Sequence, residues 1–373
     1  MRAAFIDQTG DKAGGAEESL ALLLRFLPPE IAPTVIVFED GEYAERLRAG
    51  GLPVIVFAIP GALATTTREH AGGGGMLQLP GAIRRMAALL RASAFDVVHT
   101  NTVKAHLIGA PAARLAGIPC VMHLRDALTG TGRLALRSVA RLGAHERIAI
   151  ASTVADAYAL PRTTVIENPV DLVRYEQLPD RRATRARLGL PLEGVVIGIV
   201  GRINRWKGQD VFLRAVAHAA QRVAVHCAIV GEPRFRDADF VPELHALAAD
   251  LGLQDATTFV PWDDPAAIFA ALDVHVNASQ REPFGRTVIE AAAAGVPSIC
   301  FADAGVVEFV ERGVTTLVVP AGDHIALGDA IARFAADAPA RGAAGRASRL
   351  WSHRFAAPRP ARRVADILER VAG

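Results

Sequence analysis

Short apolar runs rich in Val, Ile and Ala alternate with Ala-, Leu- and Arg-rich stretches of helical character along the whole chain. In the first half the strand-like runs are 3–7, 34–38, 54–57, 97–100, 120–123, 148–151 and 165–166, and helices are expected over 16–26, 82–92, 104–116 and 133–142. In the second half strands are expected at 195–200, 226–230, 257–260, 274–277, 298–301 and 316–319, with helices at 209–221, 241–250, 265–271, 287–294, 306–311 and 324–336. A strand that is apolar on both faces has to be buried on both, and helices between successive strands supply the crossovers of a parallel sheet. The class is therefore α/β. A chain of 373 residues carrying the pattern twice is expected to form two doubly wound, Rossmann-like domains.

The boundary between the halves reads as a connection over 168–193, because Asn168-Pro169, Leu178-Pro179 and the charged run Asp180-Arg181-Arg182 are typical of exposed chain. This gives a first domain over 1–167, a second over 194–355 and a terminal segment over 356–373. In the terminal segment Val364, Ile367, Leu368 and Val371 mark one face of a helix at 362–372. Four glycines, Gly72 to Gly75, read as a flexible surface loop.

Basic and acidic residues nearly balance, 41 against 39, so the total implies no nucleic-acid partner. Cys120, Cys227 and Cys300 lie far apart inside apolar runs and read as free thiols in a reducing compartment. The N-terminus has no signal-peptide pattern, and no apolar run is long enough to span a bilayer, so a cytoplasmic protein is expected. Arg133, Arg137 and Arg141 recur every four residues beside Leu134 and Leu142. That stripe leaves open peripheral contact at the inner face of a membrane, the other reading being a solvated helix face.

Ligands of open α/β sheets bind outside the carboxyl ends of the strands. Three segments at such ends carry polar chemistry. Gly14-Gly15-Ala16-Glu17 follows the first strand, and its glycines suit either close approach to an anion or a tight strand-to-helix turn. Arg202 and Lys207, around Gly201 and Gly208, put two cations at the end of the first strand of the second half, which suits a diphosphate. Glu282 and Glu290 bracket Phe284-Gly285-Arg286 and open an Ala-rich helix, whose first N–H groups are free to meet phosphate. Glu290 precedes the apolar run Ala291 to Ala294, so its charge needs a partner. His123 closes a first-half strand, where it either contacts substrate or is a satisfied strand-end histidine. Arg125 and Asp126 beside it form an ion pair or meet an acceptor.

These segments, in this order, resemble the family-four retaining GT-B glycosyltransferases, the group 1 glycosyltransferases. The resemblance also takes in Val98 to Asn101, Asn168 to Asp171, Val230 to Pro233 and Ala294 to Pro297. It implies a GT-B fold, two Rossmann-like domains facing each other across a cleft, with the final helix crossing back to the N-terminal domain. It implies an enzyme that moves a sugar from a UDP-sugar or GDP-sugar to a hydroxyl-bearing acceptor (a glycan, a small molecule or a lipid-linked acceptor). Arg202 and Lys207, with Gly15, Phe284, Gly285 and Arg286, would hold the donor diphosphate. Glu290 would bind the ribose and Glu282 the sugar hydroxyls. His123 would lie near the reactive end, and the base near Gly231, Glu232 and Val260. Asn101, Lys104 and Arg125 would lie on the acceptor side.

No metal or other cofactor is expected, since two protein cations can stabilise the leaving phosphate. The one Asp-x-Asp string, Asp237 to Asp239, reads as a helix N-cap away from these motifs. The sequence departs from the family in Pro169, where Gly is common, and in Arg286, where an apolar residue is common. A sugar-nucleotide epimerase and a non-catalytic sugar-nucleotide-binding subunit stay open as alternatives.

Overall fold

In the computed structural model the described residues are 1–64, 73–233 and 235–373. They form two compact units, 1–169 together with 357–373, and 170–356.

Unit 1 runs β1 (Arg2–Ile6), α1 (Gly15–Arg25), β2 (Ala32–Val37), α2 (Glu42–Ala49), β3 (Val54–Val56), α3 (Gly61–Ala64), α4 (Gly73–Ala92), β4 (Val97–Thr100), α5 (Val103–Ala116), β5 (Cys120–Leu124), α6 (Gly130–Gly143), β6 (Glu146–Ala149), α7 (Ser152–Tyr158) and β7 (Thr163–Val165). Its sheet has the order β3-β2-β1-β4-β5-β6-β7, parallel throughout. The chain order reverses between β1 and β4, which is where a doubly wound sheet opens a crevice.

Unit 2 runs α8 (Arg181–Arg187), β8 (Val196–Val200), α9 (Gln209–Ala220), β9 (His226–Val230), α10 (Phe240–Asp250), β10 (Thr257–Val260), α11 (Pro265–Ala271), β11 (Val274–Asn277), α12 (Arg286–Ala293), β12 (Ser298–Phe301), β13 (Thr316–Val319), α13 (His324–Ala336) and α14 (Ala338–Ser352). The parallel order is β10-β9-β8-β11-β12-β13, with the reversal between β8 and β11. Phe212, Leu213 and Val216 of α9 and Leu327 and Ile331 of α13 share one core with Ile197, Ile229 and Val276 of the sheet.

The last helix, α15 (Pro358–Ala372), belongs to unit 1. Ala361, Val364, Ala365, Ile367 and Leu368 sit in one core with Phe5 of β1, Val35 and Val37 of β2, and Leu20 and Leu24 of α1. That is the apolar face read from the sequence, now with a partner.

Four expectations need correction. The stretch 170–193 is not a free connection but part of unit 2. Asp180 caps α8 by accepting from the Ala183 N–H at 2.7 Å, and buried Arg185 donates to Asp273 at 2.7 Å and to the Ala271 carbonyl at 2.9 Å. The charged run therefore starts a helix, and Arg185, one turn further on, points inward. Of the four glycines, Gly72 lies outside the described residues and Gly73 to Gly75 open α4; they occupy a first turn, where backbone N–H groups lack helical partners in any case. The helix expected over 306–311 is only a single 3-10 turn, Gly305–Glu308. Asp239 precedes α10 without a side-chain cap, and Asp237 instead accepts from Asn204 Nδ2 at 3.3 Å, which joins the Asp-x-Asp string to the loop after β8.

Candidate active site

At the reversal point of unit 2, two loops meet. After β8 the chain makes a 3-10 turn over Arg205–Lys207, held by Asn204 Oδ1 accepting from the Trp206 N–H at 3.0 Å. After β11 the chain returns alongside it, with the Gln280 N–H donating to the Trp206 carbonyl at 2.8 Å. This backbone link brings Lys207 Nζ within 2.6 Å of Glu282 Oε2, and both side chains are largely buried. The ammonium also lies 4.1 Å from the centre of the Trp206 ring. Trp206 has a part that sequence reasoning did not give it. The signal was its place immediately before Lys207, where an aromatic face can seat a cation.

The segment after Glu282 is fixed by its backbone. The Gly305 N–H donates to the Glu282 carbonyl at 2.9 Å and the Val306 N–H to the Phe284 carbonyl at 2.6 Å. Phe284 is buried against Phe309 and Phe355, so it anchors the turn and leaves only its backbone for a ligand. Gly285 is the N-cap of α12, and Arg286 opens that helix. One turn in, Glu290 Oε1 accepts from Arg286 Nη2 at 2.6 Å. This is the partner that a carboxylate at the core edge requires. The side chain of Arg286 is thus largely buried against Glu290. Tyr175 is buried nearby, and its hydroxyl is pushed well above the usual range, first by burial and then by Glu290.

Arg202 lies exposed at the same edge, two residues past β8, and its carbonyl accepts from Gln209 Nε2 at 3.0 Å. Gly231 follows β9 with φ of 138°, and a Cβ there would lie 2.0 Å from the Gly201 carbonyl oxygen, so only glycine lets the two turns touch. The Gly231 N–H donates to the buried Val260 at 2.9 Å, and Glu232 is exposed beside it. The ends of β8, β9, β10 and β11 therefore carry Arg202, Gly231, Val260 and Glu282 along one edge.

Unit 1 has its own polar cluster at its reversal point. Asp7 is fully buried after β1, accepting from Asn101 Nδ2 at 2.7 Å, from Thr102 Oγ1 at 3.0 Å and from the Gln8 N–H at 2.7 Å. Burial, reinforced by Glu17, pushes its carboxyl up to about 7. Glu17 Oε2 accepts from the Gly14 N–H at 2.9 Å, so a carboxylate already occupies one anion-seeking group at the α1 start, next to the exposed Gly15. Lys104, in the first turn of α5, is half-buried, and burial lowers its ammonium from its ordinary value.

Asn101 is fully buried, and its amide oxygen accepts from Arg125 Nε at 2.6 Å. Arg125, also buried, donates through Nη1 to Asn168 Oδ1 at 2.6 Å. His123, next to last in β5, has Nδ1 3.2 Å from His99 Nε2 and 3.5 Å from Arg125 Nη2. Burial, then the Arg125 charge, then His99 and His106, hold His123 well below the ordinary histidine range, so the ring is neutral. Of the residues expected on the acceptor side, Asn101 and Arg125 are thus committed to bonds within unit 1. Sequence reasoning missed Asp7, which carries no motif and stands in a strand run that reads as core, and it gave His99, part of a segment that carries the resemblance, no contact with His123.

The comparisons agree with this layout. Residues 180–351 match the family described as glycosyl transferases group 1, and residues 14–166 match the glycosyl transferase 4-like domain. A D-inositol 3-phosphate glycosyltransferase from Kribbella flavida is 31% identical over 91% of this chain and 86% of its own length. One from Stackebrandtia nassauensis is 37% identical, over 47% of this chain and 42% of that enzyme. Anabaena HepE, solved in complex with UDP and glucose, matches with a TM-score of 0.86 at 28% identity over 99% of both chains. The two parallel-sheet Rossmann-like units are those of GT-B glycosyltransferases. With relatives aligned over nearly its whole length, and with the paired glutamates and the cations at one sheet edge, this chain belongs to the group 1 glycosyltransferases.

Proposed function

We propose that this glycosyltransferase moves a hexosyl group from a UDP- or GDP-sugar to a hydroxyl acceptor with retention of anomeric configuration and without a metal. The observation that carries the reading is the convergence of Lys207 on Glu282 beside the Arg286–Glu290 pair, all at the reversal point of unit 2. Arg202, Lys207 and the N–H groups at Gly285 and Arg286 take the diphosphate, Glu290 the ribose and Glu282 the sugar hydroxyls. Gly231, Glu232 and Val260 line the base. Unit 1 takes the acceptor, with Lys104 toward it, Asn101 and Arg125 behind, Gly15 at the α1 start and His123 at the reactive end. The solved complex of HepE with UDP and glucose supports a uridine donor, and the inositol-phosphate relatives support a small polyol or sugar acceptor.

In the reaction the bond from the anomeric carbon to the phosphate oxygen breaks as the acceptor oxygen bonds to the same face. The acceptor's proton passes to the leaving phosphate, whose growing charge meets Arg202, Lys207 and the helix N–H groups. Among the described residues no three His, Cys, Asp or Glu side chains come together as a metal set, and protein cations fill that electrostatic role in this reading.

No helix among the described residues is long and apolar enough to cross a membrane. Leu134 and Leu142 of α6 are 56% and 67% exposed, alongside the exposed Arg133, Arg137 and Arg141, which favours contact with an anionic lipid surface at the cytoplasmic face.

The deciding experiment is a thermal-shift series with UDP, GDP, UDP-glucose and GDP-mannose, each with and without EDTA. Stabilisation by one nucleotide family that EDTA leaves intact is expected. Stabilisation that appears only with Mn²⁺ refutes the metal-free reading. Sugar inversion in donor given without acceptor points to an epimerase instead.

A further inference from the structure

His123 is held on one side only. Its Nδ1 meets His99 Nε2 at 3.2 Å and Arg125 Nη2 at 3.5 Å, while its Nε2 is buried with no partner among the described residues. A guanidinium can only donate, so the contact with Arg125 is a hydrogen bond only when Nδ1 carries no proton. The same condition makes His99 Nε2 the donor across the shorter contact. A neutral imidazole with Nδ1 accepting carries its proton on Nε2.

The orientation of Arg125 is itself over-determined. Its Nε and Nη1 are engaged by the amide oxygens of Asn101 and Asn168, and the Asn101 amide nitrogen is anchored on Asp7 at 2.7 Å. A line of bonds therefore runs from Asp7 through Asn101 and Arg125 to the imidazole. The ring's backbone is held as well. His106 sits against Thr100 Oγ1 at 2.7 Å through Nδ1 and bonds the His123 backbone.

We propose that Arg125 is a positioning residue: together with His99 it fixes His123 as the Nε2–H tautomer, so the ring meets the reacting sugar as a hydrogen-bond donor and not as a base. A buried donor with nothing to donate to is uncommon in folded proteins, and at a strand end beside the reversal point of the sheet a ligand oxygen is the acceptor that satisfies it. The matching ligand atom is a sugar hydroxyl or glycosidic oxygen. This deepens the reading in which unit 1 receives the reactive end of the sugar, and its ligand half rests on that reading. It also moves Arg125 from the acceptor's contacts to the support of His123.

The test is long-range ¹H–¹⁵N correlation on the full chain labelled at histidine, with His123→Asn to assign the ring. Expected at neutral pH is a pyridine-type Nδ1 and a protonated Nε2 for His123. A protonated Nδ1, or a ring that titrates near neutrality, overturns the proposal whatever the transfer activity. Arg125→Met is expected to mix the tautomers and to lower kcat roughly tenfold while leaving donor KM near its original value. Should that variant fail to fold, Arg125→Lys keeps the charge without the two-amide clamp and is expected to mix them too. A tautomer unchanged in the folded variant overturns the positioning role. If the tautomer is as stated but no nucleotide-sugar is turned over, the function reading falls and the assignment of the ring stands.

Discussion

Lys207 and Glu282 are 75 positions apart in the chain, yet their charged atoms lie 2.6 Å apart at the reversal point of the second sheet. In the proposed reading a diphosphate entering this edge would compete with Glu282 for the ammonium and free Glu282 for the sugar. Removing Lys207 should therefore do two things. Lys207→Ala leaves a largely buried carboxylate without its cation and should lower stability by about 1–3 kcal/mol, below the cost of a fully buried pair because the ammonium is partly exposed. It should also lower kcat roughly 10²-fold as an electrostatic stabiliser is lost. The double change Lys207→Ala, Glu282→Ala should recover part of the stability and none of the activity, as read by urea unfolding and steady-state transfer. Additive stability losses would show that the pair is not coupled.

Glu290 is assigned to the ribose, with Arg286 holding it at 2.6 Å. Glu290→Gln should weaken UDP binding by about 10- to 100-fold, the cost of losing hydrogen bonds from a charged acceptor. The informative comparison is UDP against its 2′,3′-dideoxy analogue by calorimetry. The original protein should prefer UDP clearly and the variant should barely distinguish them. A preference that survives in the variant places the ribose elsewhere.

Membrane contact through α6 has a direct readout. Vesicles containing anionic lipid should sediment the protein at low salt, and replacing Arg133, Arg137 and Arg141 by Gln should weaken this by roughly 10²-fold, at about 1 kcal/mol for each basic residue near the surface. Equal binding to neutral vesicles, or no loss in the triple variant, removes the arginine stripe from the account.

Most strands were legible because continuous apolar runs such as Val274 to Asn277 have few alternatives in a doubly wound chain, and the observed β11 has those same ends. The edge motifs were legible for a related reason, since strand ends limit where a ligand can sit. What escaped was structure whose sequence imitates loop. The helix α14 is rich in Ala and Arg, but a first-turn Pro, two serines and two glycines break its apolar periodicity. Gly345 is there because α14 passes so close to the turn after α12 that a Cβ would lie 2.3 Å from the Gly295 carbonyl. Asp180-Arg181-Arg182 looked solvated because the sequence holds no sign that Asp273, about ninety positions later, meets Arg181 of this run and Arg185 just after it. In the site, the ion pairs of the glutamates were likewise invisible, since they depend on how two loops run side by side.

The Arg185–Asp273 contact makes that point measurable. Asp273 accepts from Arg185 at 2.7 Å and from the Val196 N–H at 2.8 Å, with Arg181 also on its carboxylate. Arg185→Ala should destabilise unit 2 by about 3 kcal/mol, because it strips a mostly buried carboxylate of its main partner and leaves two backbone carbonyls without a donor. Arg182→Ala, whose side chain is exposed, should change little. Urea unfolding of the two variants side by side decides it, and equal losses would return 168–193 to the status of a connection.

The buried carboxyl of Asp7 gives the protein a pH dependence of unusual sign. Burial and Glu17 raise it from the ordinary 3.8 to about 7 in the folded chain. The stability linked to its proton is therefore fully present below the unfolded value and is lost as pH rises through about 7. The buried rings of His99, His106 and His123 act in the opposite sense, since they are held below their ordinary 6.5 and their contribution is lost as pH falls below that value. The three rings still titrate around 6.5 in the unfolded chain, so the share of the carboxyl is read as the difference from a variant that lacks it. Between pH 6.5 and 8.5 the original protein should lose about 1 kcal/mol from this source. Asp7→Asn has no proton to release and keeps one oxygen, for either Asn101 Nδ2 or Thr102 Oγ1, which in the original protein bond different carboxylate oxygens; relative to this variant the original protein's unfolding free energy should fall by about that amount over the same interval. Parallel declines in both proteins would mean that Asp7 is already ionised at neutral pH, and that Asn101 and Thr102 stabilise the charge more than burial opposes it.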